Sequence, residues 1–265
     1  MKDGISVCFV IKNGLINGYP FWESLESSLP IADEIIISEG NSSDKTYEAL
    51  LKFKEKYGDK IKIFRTNWER KHVGGCGEII SVISSEAISK CSHNWIYYLQ
   101  ADEIIHKDNY GIIKEVASSK LGNFNSINFK YAHFIGSWTP LPFGSAAYSE
   151  AIRMVRNIRE ISLMGDAWTF KGSIYPVFPS NNVPKPVYHF GWVFPKNIDQ
   201  KNVEQAKIYP SMCNYQKKAR DSAENIKKGY SQKNGFPKSE TFDDYPESMK
   251  RLIGQFEYTL PPGVL

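Results

Sequence analysis

Two acidic clusters close short apolar runs within the first hundred or so residues. One reads Asp33-Glu34-Ile35-Ile36-Ile37-Ser38-Glu39-Gly40-Asn41-Ser42-Ser43-Asp44-Lys45-Thr46, the other Trp95-Ile96-Tyr97-Tyr98-Leu99-Gln100-Ala101-Asp102-Glu103. Each apolar run has the look of a buried parallel strand that stops at carboxylates. Ligands of open α/β sheets collect outside the carboxyl ends of the strands, so both clusters are expected at one crevice. Carboxylates in such a place suit a divalent cation and the hydroxyls of a nucleoside. That is the chemistry of sugar transfer from a nucleoside diphosphate. Mg2+ or Mn2+ takes hard oxygen ligands, often one or two carboxylates completed by phosphate oxygens and water. Asp102 meets that need, with Glu103 behind it.

Other side chains could serve the same chemistry. Arg70, Lys71 and His72 precede the turn Gly74-Gly75-Cys76-Gly77 and a helix, an arrangement that favours anions. Arg70 is the first choice of the three, since a guanidinium bridges diphosphate oxygens. Asp166, between Gly165 and Trp168, is the candidate general base, with Glu150 and Glu160 as competitors. Trp138, Trp168 and Trp192 offer apolar faces to sugar rings. Asp44 has a competing role, because Ser-Ser-Asp before a helix is a capping arrangement. His189, in an aromatic run, reads first as a packed, hydrogen-bonded histidine.

The elements that must position these groups alternate strand and helix. Strands are expected at Ile5 to Ile11, Glu34 to Ser38, Ile61 to Phe64 and Ile96 to Leu99. Helices are expected after Pro20, after Asp44 up to Gly58, and from about Cys76, with Tyr47, Leu50, Leu51 and Tyr57 facing inward on the second. This repetition predicts a parallel sheet with right-handed crossovers. A helix near Asp108 to Ser118 follows, then alternating segments at Ser126 to Phe134 and Ala151 to Val155 that suit antiparallel strands. Between those two segments lies a Gly/Pro/Trp loop, 136–144, and Pro186 to Phe194 is a further strand. From Lys196 the chain turns polar and helical, closing with a short helix in Pro246 to Tyr258.

Composition narrows the class. A chain of 265 residues with 42% hydrophobic residues can bury a full core. A net charge of +4, without a dense basic stripe, argues against nucleic acid as a partner and leaves room for peripheral attraction to anionic membrane. No apolar run reaches the roughly 18 residues of a membrane span. Cys8, Cys76, Cys91 and Cys213 lack metal-finger spacing and suit reduced thiols, so a soluble, cytoplasmic protein is expected.

Taken together, Ile5 to Glu103 resembles the nucleotide-binding half of family-two glycosyltransferases. The resemblance rests on Val10-Ile11-Lys12-Asn13, on the run from Glu34 to Thr46, and on Leu99-Gln100-Ala101-Asp102-Glu103. It implies a GT-A fold, a Rossmann-like, mainly parallel sheet flanked by helices. The glycosyltransferase domain would span 1–195 (nucleotide half 1–105, acceptor half 106–195), with a mostly helical extension at 196–265. The implied activity is metal-dependent, inverting transfer from a nucleoside-diphosphate sugar to a glycan, lipid-linked or protein acceptor, as in surface glycan synthesis. Ile11, Asn13, Glu39, Gln100 and Ala101 would line the donor, and Asp102 with a late histidine, His189, would hold Mn2+ or Mg2+. Three departures stand out: Lys12 replaces the family's Tyr, Glu39 its nucleoside-binding Asp, and Gln100 the first Asp of the metal motif. Two other readings fit the layout: a sugar-phosphate nucleotidyltransferase, and a non-catalytic nucleotide or glycan binder. The first normally opens with a Gly-rich phosphate loop, which Lys12-Asn13-Gly14 does not supply.

Overall fold

A computed structural model describes residues 1–68, 78–135, 138, 140, 148–172, 174–208, 244–255 and 257–265. Arg70 and most of the 136–144 loop lie outside that set. The first half is built as its periodicity predicts: β1 (Lys2–Ile11), α1 (Phe21–Ser28), β2 (Glu34–Glu39), α2 (Thr46–Tyr57), β3 (Ile61–Arg65), α3 (Glu78–Ile88) and β4 (His93–Gln100). Gly58, at φ 84°, ends α2 in a conformation that L-side chains avoid. Leu51 departs from expectation: it is 44% exposed, while Ala49, Leu50 and Phe53 carry the buried face of α2.

The second half adds β5 (Glu103–Ile104), α4 (Tyr110–Ala117), β6 (Ser126–Ile135), β7 (Glu150–Arg156), β8 (Ser162–Met164), β9 (Thr169–Lys171), β10 (Val177–Phe178), β11 (Val187–Trp192) and α5 (Ile198–Ile208). Among the described residues the main sheet has the order β3-β2-β1-β4-β7-β6-β11-β5, with β10 on β6. Strands β1 to β4 pair in parallel. β7 runs antiparallel between β4 and β6, and β11 is parallel to β6. β8 and β9 form a separate hairpin.

Alternation along the strands sorts the core into two layers. Ile5, Val7, Phe9 and Ile11 of β1 join Trp95, Tyr97 and Leu99 of β4 beneath α1, α2 and α4. Cys8 and Val10 point the other way, with Ile96 and Tyr98, toward α3 and the β8–β9 hairpin. Period-two side chains on a central strand require cover on both faces, and helices on each side supply it. The sheet's carboxyl edge, where β1, β2 and β4 end, is left for chemistry.

Candidate functional site

At the ends of β1 and β2 the acidic motif is consumed in building a loop. Glu39 is fully buried; its carboxylate accepts from the amides of Asn41 (3.2 Å) and Ser42 (2.6 Å) and from Arg65 Nε (3.1 Å). Asp44 accepts from the amides of Ile16 (2.9 Å) and Thr46 (3.0 Å), and Thr46 Oγ1 accepts from Gly14 N (2.9 Å). Asn13, at φ 51°, accepts from Ser43 N at Oδ1 (2.8 Å) and donates through Nδ2 to Glu204 on α5 (2.9 Å). Glu39 was expected to face a nucleoside. Here its oxygens are spent on the turn, because a carboxylate buried at a strand end takes the nearest free amides. Trp68, absent from the sequence expectations, lies beside this turn. A Cβ on Gly40 would come 2.7 Å from its indole Nε1, which is buried with no hydrogen-bond partner among the described residues.

Past β4 the two neighbouring carboxylates separate in role. Glu103 is wholly enclosed, accepting from Tyr131 Oη (2.7 Å), Arg153 Nη2 (2.9 Å) and Gln100 N (3.3 Å). Arg153 is equally buried and also donates from Nη1 to the carbonyl of Trp168 (3.0 Å). This pair ties the turn after β4 to the β8–β9 hairpin. Ala101 is buried within the turn. Asp102 turns toward the crevice: its Oδ2 lies 3.4 Å from His189 Nε2 and 3.7 Å from Lys201 Nζ. These are ion-pair separations rather than tight hydrogen bonds. Burial acts to raise the Asp102 carboxyl, but His189 and Lys201 outweigh it and hold the group well below the usual carboxylate range.

His189 belongs to a chain of rings. Its Nδ1 is 3.0 Å from His133 Nδ1, and His133 Nε2 is 2.8 Å from the Tyr148 carbonyl. A carbonyl only accepts, so His133 Nε2 carries the proton and His133 Nδ1 accepts from His189 Nδ1–H. Burial first, and then the neighbouring His189, push His133 down to about 4, so it stays neutral in this role. His189 Nε2 is thereby aimed at Asp102. Gly191 makes room for the contact, since a Cβ there would meet Asp102 Oδ2 at 2.7 Å and the His189 ring at 3.2 Å.

Lys201, absent from the sequence expectations, completes the cluster from α5. It is 3% exposed, donates to the Gly191 carbonyl, and lies over the faces of Tyr19 (4.2 Å to centroid) and Trp192 (4.5 Å). Burial lowers it to about 8 against the opposing pull of Asp102, so it is predominantly charged at pH 7. The expected Mn2+ or Mg2+ site can be judged on these groups. The donor set offers one carboxylate and one imidazole, Glu103 is spent on Arg153, and an ammonium already faces the carboxylate oxygen a dication would take. Among the described residues no cluster of three or more His, Cys, Asp or Glu side chains suits a metal. Among the described residues, Asp102 therefore already faces an ammonium on the oxygen a dication would take.

The turn of the β8–β9 hairpin carries Asp166. Burial holds the Tyr148 phenol well above its ordinary value; Arg153 opposes this, while Glu103, Asp102 and Asp166 all add to it. Asp166 thus acts on the same phenol as the two carboxylates after β4. Trp168 is 47% exposed beside it. Glu150 is held by Asn128 (2.6 Å) and Ser180 (2.8 Å). Trp138 corrects an expectation: at 1% exposure it packs between Phe190, Phe194 and Tyr245, so its ring faces the core and is no open platform for a sugar. Of the predicted site residues, Asp102, His189, Ala101 and Gln100 gather at the turn after β4. Ile11, Asn13 and Glu39 gather at the neighbouring turn.

Comparison with known proteins finds a family likeness over part of the chain. Residues 19–121 match the profile described as glycosyl transferase family 2. Among solved structures the chain resembles Staphylococcus aureus TarS residues 1–349, at 14% identity and TM-score 0.45, covering 89% of this chain and 74% of that one. A TarS 1–349 complex with UDP-GlcNAc aligns at 14% and 0.44, covering 88% and 73%, and a complex with UDP at 12% and 0.45, covering 91% and 74%. Comparison with curated protein sequences gave no match.

Proposed function

From the match of residues 19–121 to the glycosyl transferase family 2 profile, we propose an inverting enzyme. It would move a sugar from a nucleoside diphosphate to the hydroxyl of a glycan, lipid-linked or protein acceptor, in surface glycan synthesis. The observation that carries this reading is the convergence of Asp102, His189 and Lys201 at the turn after β4, which Glu103 and Arg153 link to the hairpin bearing Asp166 and an exposed Trp168. In the proposed step the acceptor oxygen bonds to the anomeric carbon from the face opposite the diphosphate. The bond from that carbon to the phosphate oxygen breaks, its electron pair leaves with the nucleoside diphosphate, and Asp166 takes the hydroxyl proton. Trp168 supplies a stacking face for the acceptor ring. Metal dependence, which the family resemblance implied, is the part of the expectation that the surroundings of Asp102 favour least.

UDP-GlcNAc, present in a TarS crystal structure, is the first donor to test, followed by GDP- and TDP-sugars. Release of nucleoside diphosphate with formation of the opposite anomer, read by NMR, is the expected outcome. Release of pyrophosphate from a nucleoside triphosphate would instead identify a nucleotidyltransferase. Asp166→Asn should lower kcat by roughly 10²-fold or more with nucleotide affinity intact. An unchanged kcat would pass the base role to Glu150, whose strand begins at the same edge of the sheet, or to Glu160.

A further inference from the structure

Building on the glycosyltransferase reading, we infer that the Lys201 ammonium is the cation that meets the donor's diphosphate, in the place a divalent metal would hold beside Asp102. Three observations meet on this residue. It is a charged side chain buried from solvent in a helix that crosses the carboxyl edge of the sheet. Its position is fixed by the Gly191 carbonyl and by the faces of Tyr19 and Trp192. Its ion-pair partner, Asp102, is the carboxylate that would otherwise ligate a metal, at a loose 3.7 Å.

A buried ammonium costs several kcal/mol of desolvation, and a fold retains one where its charge is paired or used. Among the described residues Asp102 is shared with His189, and the other contacts of Lys201 are one carbonyl and two ring faces. A preorganised cation in a site shielded from water stabilises developing negative charge without reorganising. When the bond from the anomeric carbon to the diphosphate breaks, the electron pair moves onto a phosphate oxygen, and Lys201 holds a positive charge fixed beside Asp102. The departure of Gln100 from the acidic motif fits this arrangement, because a lysine in the metal's place needs one balancing carboxylate and not two.

α5 also reaches the other half of the site. Glu204, one turn after Lys201, accepts from Asn13 at the end of β1. The helix therefore spans the ends of β1 and β4, where nucleoside and diphosphate would lie.

The test is calorimetric titration of the full chain with UDP, GDP and dTDP, each in EDTA and in Mn2+, and with the free nucleoside of the tightest binder. The wild type should bind its nucleoside diphosphate within about twofold equally in EDTA and Mn2+. Lys201→Met should weaken that binding in EDTA by roughly tenfold or more, as loss of a charge-assisted contact does, and leave nucleoside affinity unchanged. Lys201→Arg should retain most of the diphosphate affinity. Equal loss of nucleoside and nucleotide affinity in Lys201→Met would make the lysine structural and overturn the inference. Wild-type binding that appears only with Mn2+ would overturn it while leaving the glycosyltransferase reading standing. No binding of any of the three in either condition would overturn both. If Lys201→Met fails to fold, the metal response of the wild type still decides.

Discussion

Gly191 shows how narrowly the candidate site is drawn around single atoms. A methyl group there would enter the space of Asp102 Oδ2, and Asp102 cannot easily retreat, because its carbonyl accepts from Phe190 N at 2.8 Å. Gly191→Ala should force the carboxylate away from His189 and Lys201, destabilising the fold by about 1–3 kcal/mol through overpacking. Nucleoside diphosphate affinity should fall with it. A melting curve and a UDP titration check this, and a variant that binds like wild type would mean Asp102 is elsewhere in the working protein. At this scale the sequence revealed the residues that end strands. Asp102 was legible because a carboxylate abruptly halts an apolar run, and His189 because it interrupts an aromatic one. Lys201 was not, since it comes 99 positions after Asp102 in a polar stretch where one lysine looks like any other. Glu39 was legible as a motif but its local partners were not, because sequence spacing does not tell which amides will claim a carboxylate once it is buried.

Elements are held in register by two ion pairs at opposite ends of the sheet, and they behave differently. Arg153 on β7 and Glu103 on β5 are fully buried together, so removing one leaves an uncompensated charge. Arg153→Met should cost about 3–5 kcal/mol, and combining it with Glu103→Gln should recover much of that. Equal melting temperatures for the single and double variants would show that the pair is not coupled. At the amino end of β2, Glu34 accepts from Lys62 (2.7 Å), Ser6 (2.6 Å) and Ser92. Burial works to raise its carboxyl, but these donors outweigh it and lower it to about 2. A depressed carboxyl contributes stability that is present above its unfolded value near 4.5 and lost as pH falls toward 2. Glu34→Gln should therefore lose up to roughly 3 kcal/mol at pH 7, with the gap to wild type closing by pH 2. Nucleotide binding should be untouched, since Glu34 lies at the far end of its strand from the site. A gap that stays constant with pH would remove Glu34 from the acid response. The βα repeat up to β4 was readable because helical and strand periods alternate over segments long enough to register. β5, β8, β9 and β10 were missed because two or three residues carry no period, and their pairing partners are distant in the chain.

On the scale of the whole molecule, side chains beyond residue 195 enter the same core as the first half of the chain. Beyond α5, the 3-10 turn Glu247–Leu252 brings Met249 and Leu252 into the same cluster as Phe21 and Trp22, and Tyr258 packs against Phe21 at 5.6 Å. Burial of three such side chains is worth roughly 5–9 kcal/mol at about 1.5–3 kcal/mol each, against a total stability of about 5–15 kcal/mol for a typical fold. Polar contacts lie along the same seam. Arg251 Nε donates to Glu23 Oε1 at 2.8 Å and Tyr258 Oη to Glu23 Oε2 at 3.1 Å, enclosing a carboxylate that is 1% exposed on α1. Burial, despite the opposing Arg251, raises Glu23 to about 7, so without these partners it would fold only as the neutral acid. A protein ending at residue 195 should therefore lose cooperative unfolding at pH 7, read by circular dichroism and denaturant titration. Arg251→Met in the full chain should lower the melting temperature more at pH 8 than at pH 5, because the unpaired carboxyl must stay protonated to remain buried. A truncated protein that melts cooperatively at the wild-type temperature would show instead that the segment is an appendage. Should it also bind nucleoside diphosphate with wild-type affinity, α5 and Lys201 would have no part in the site.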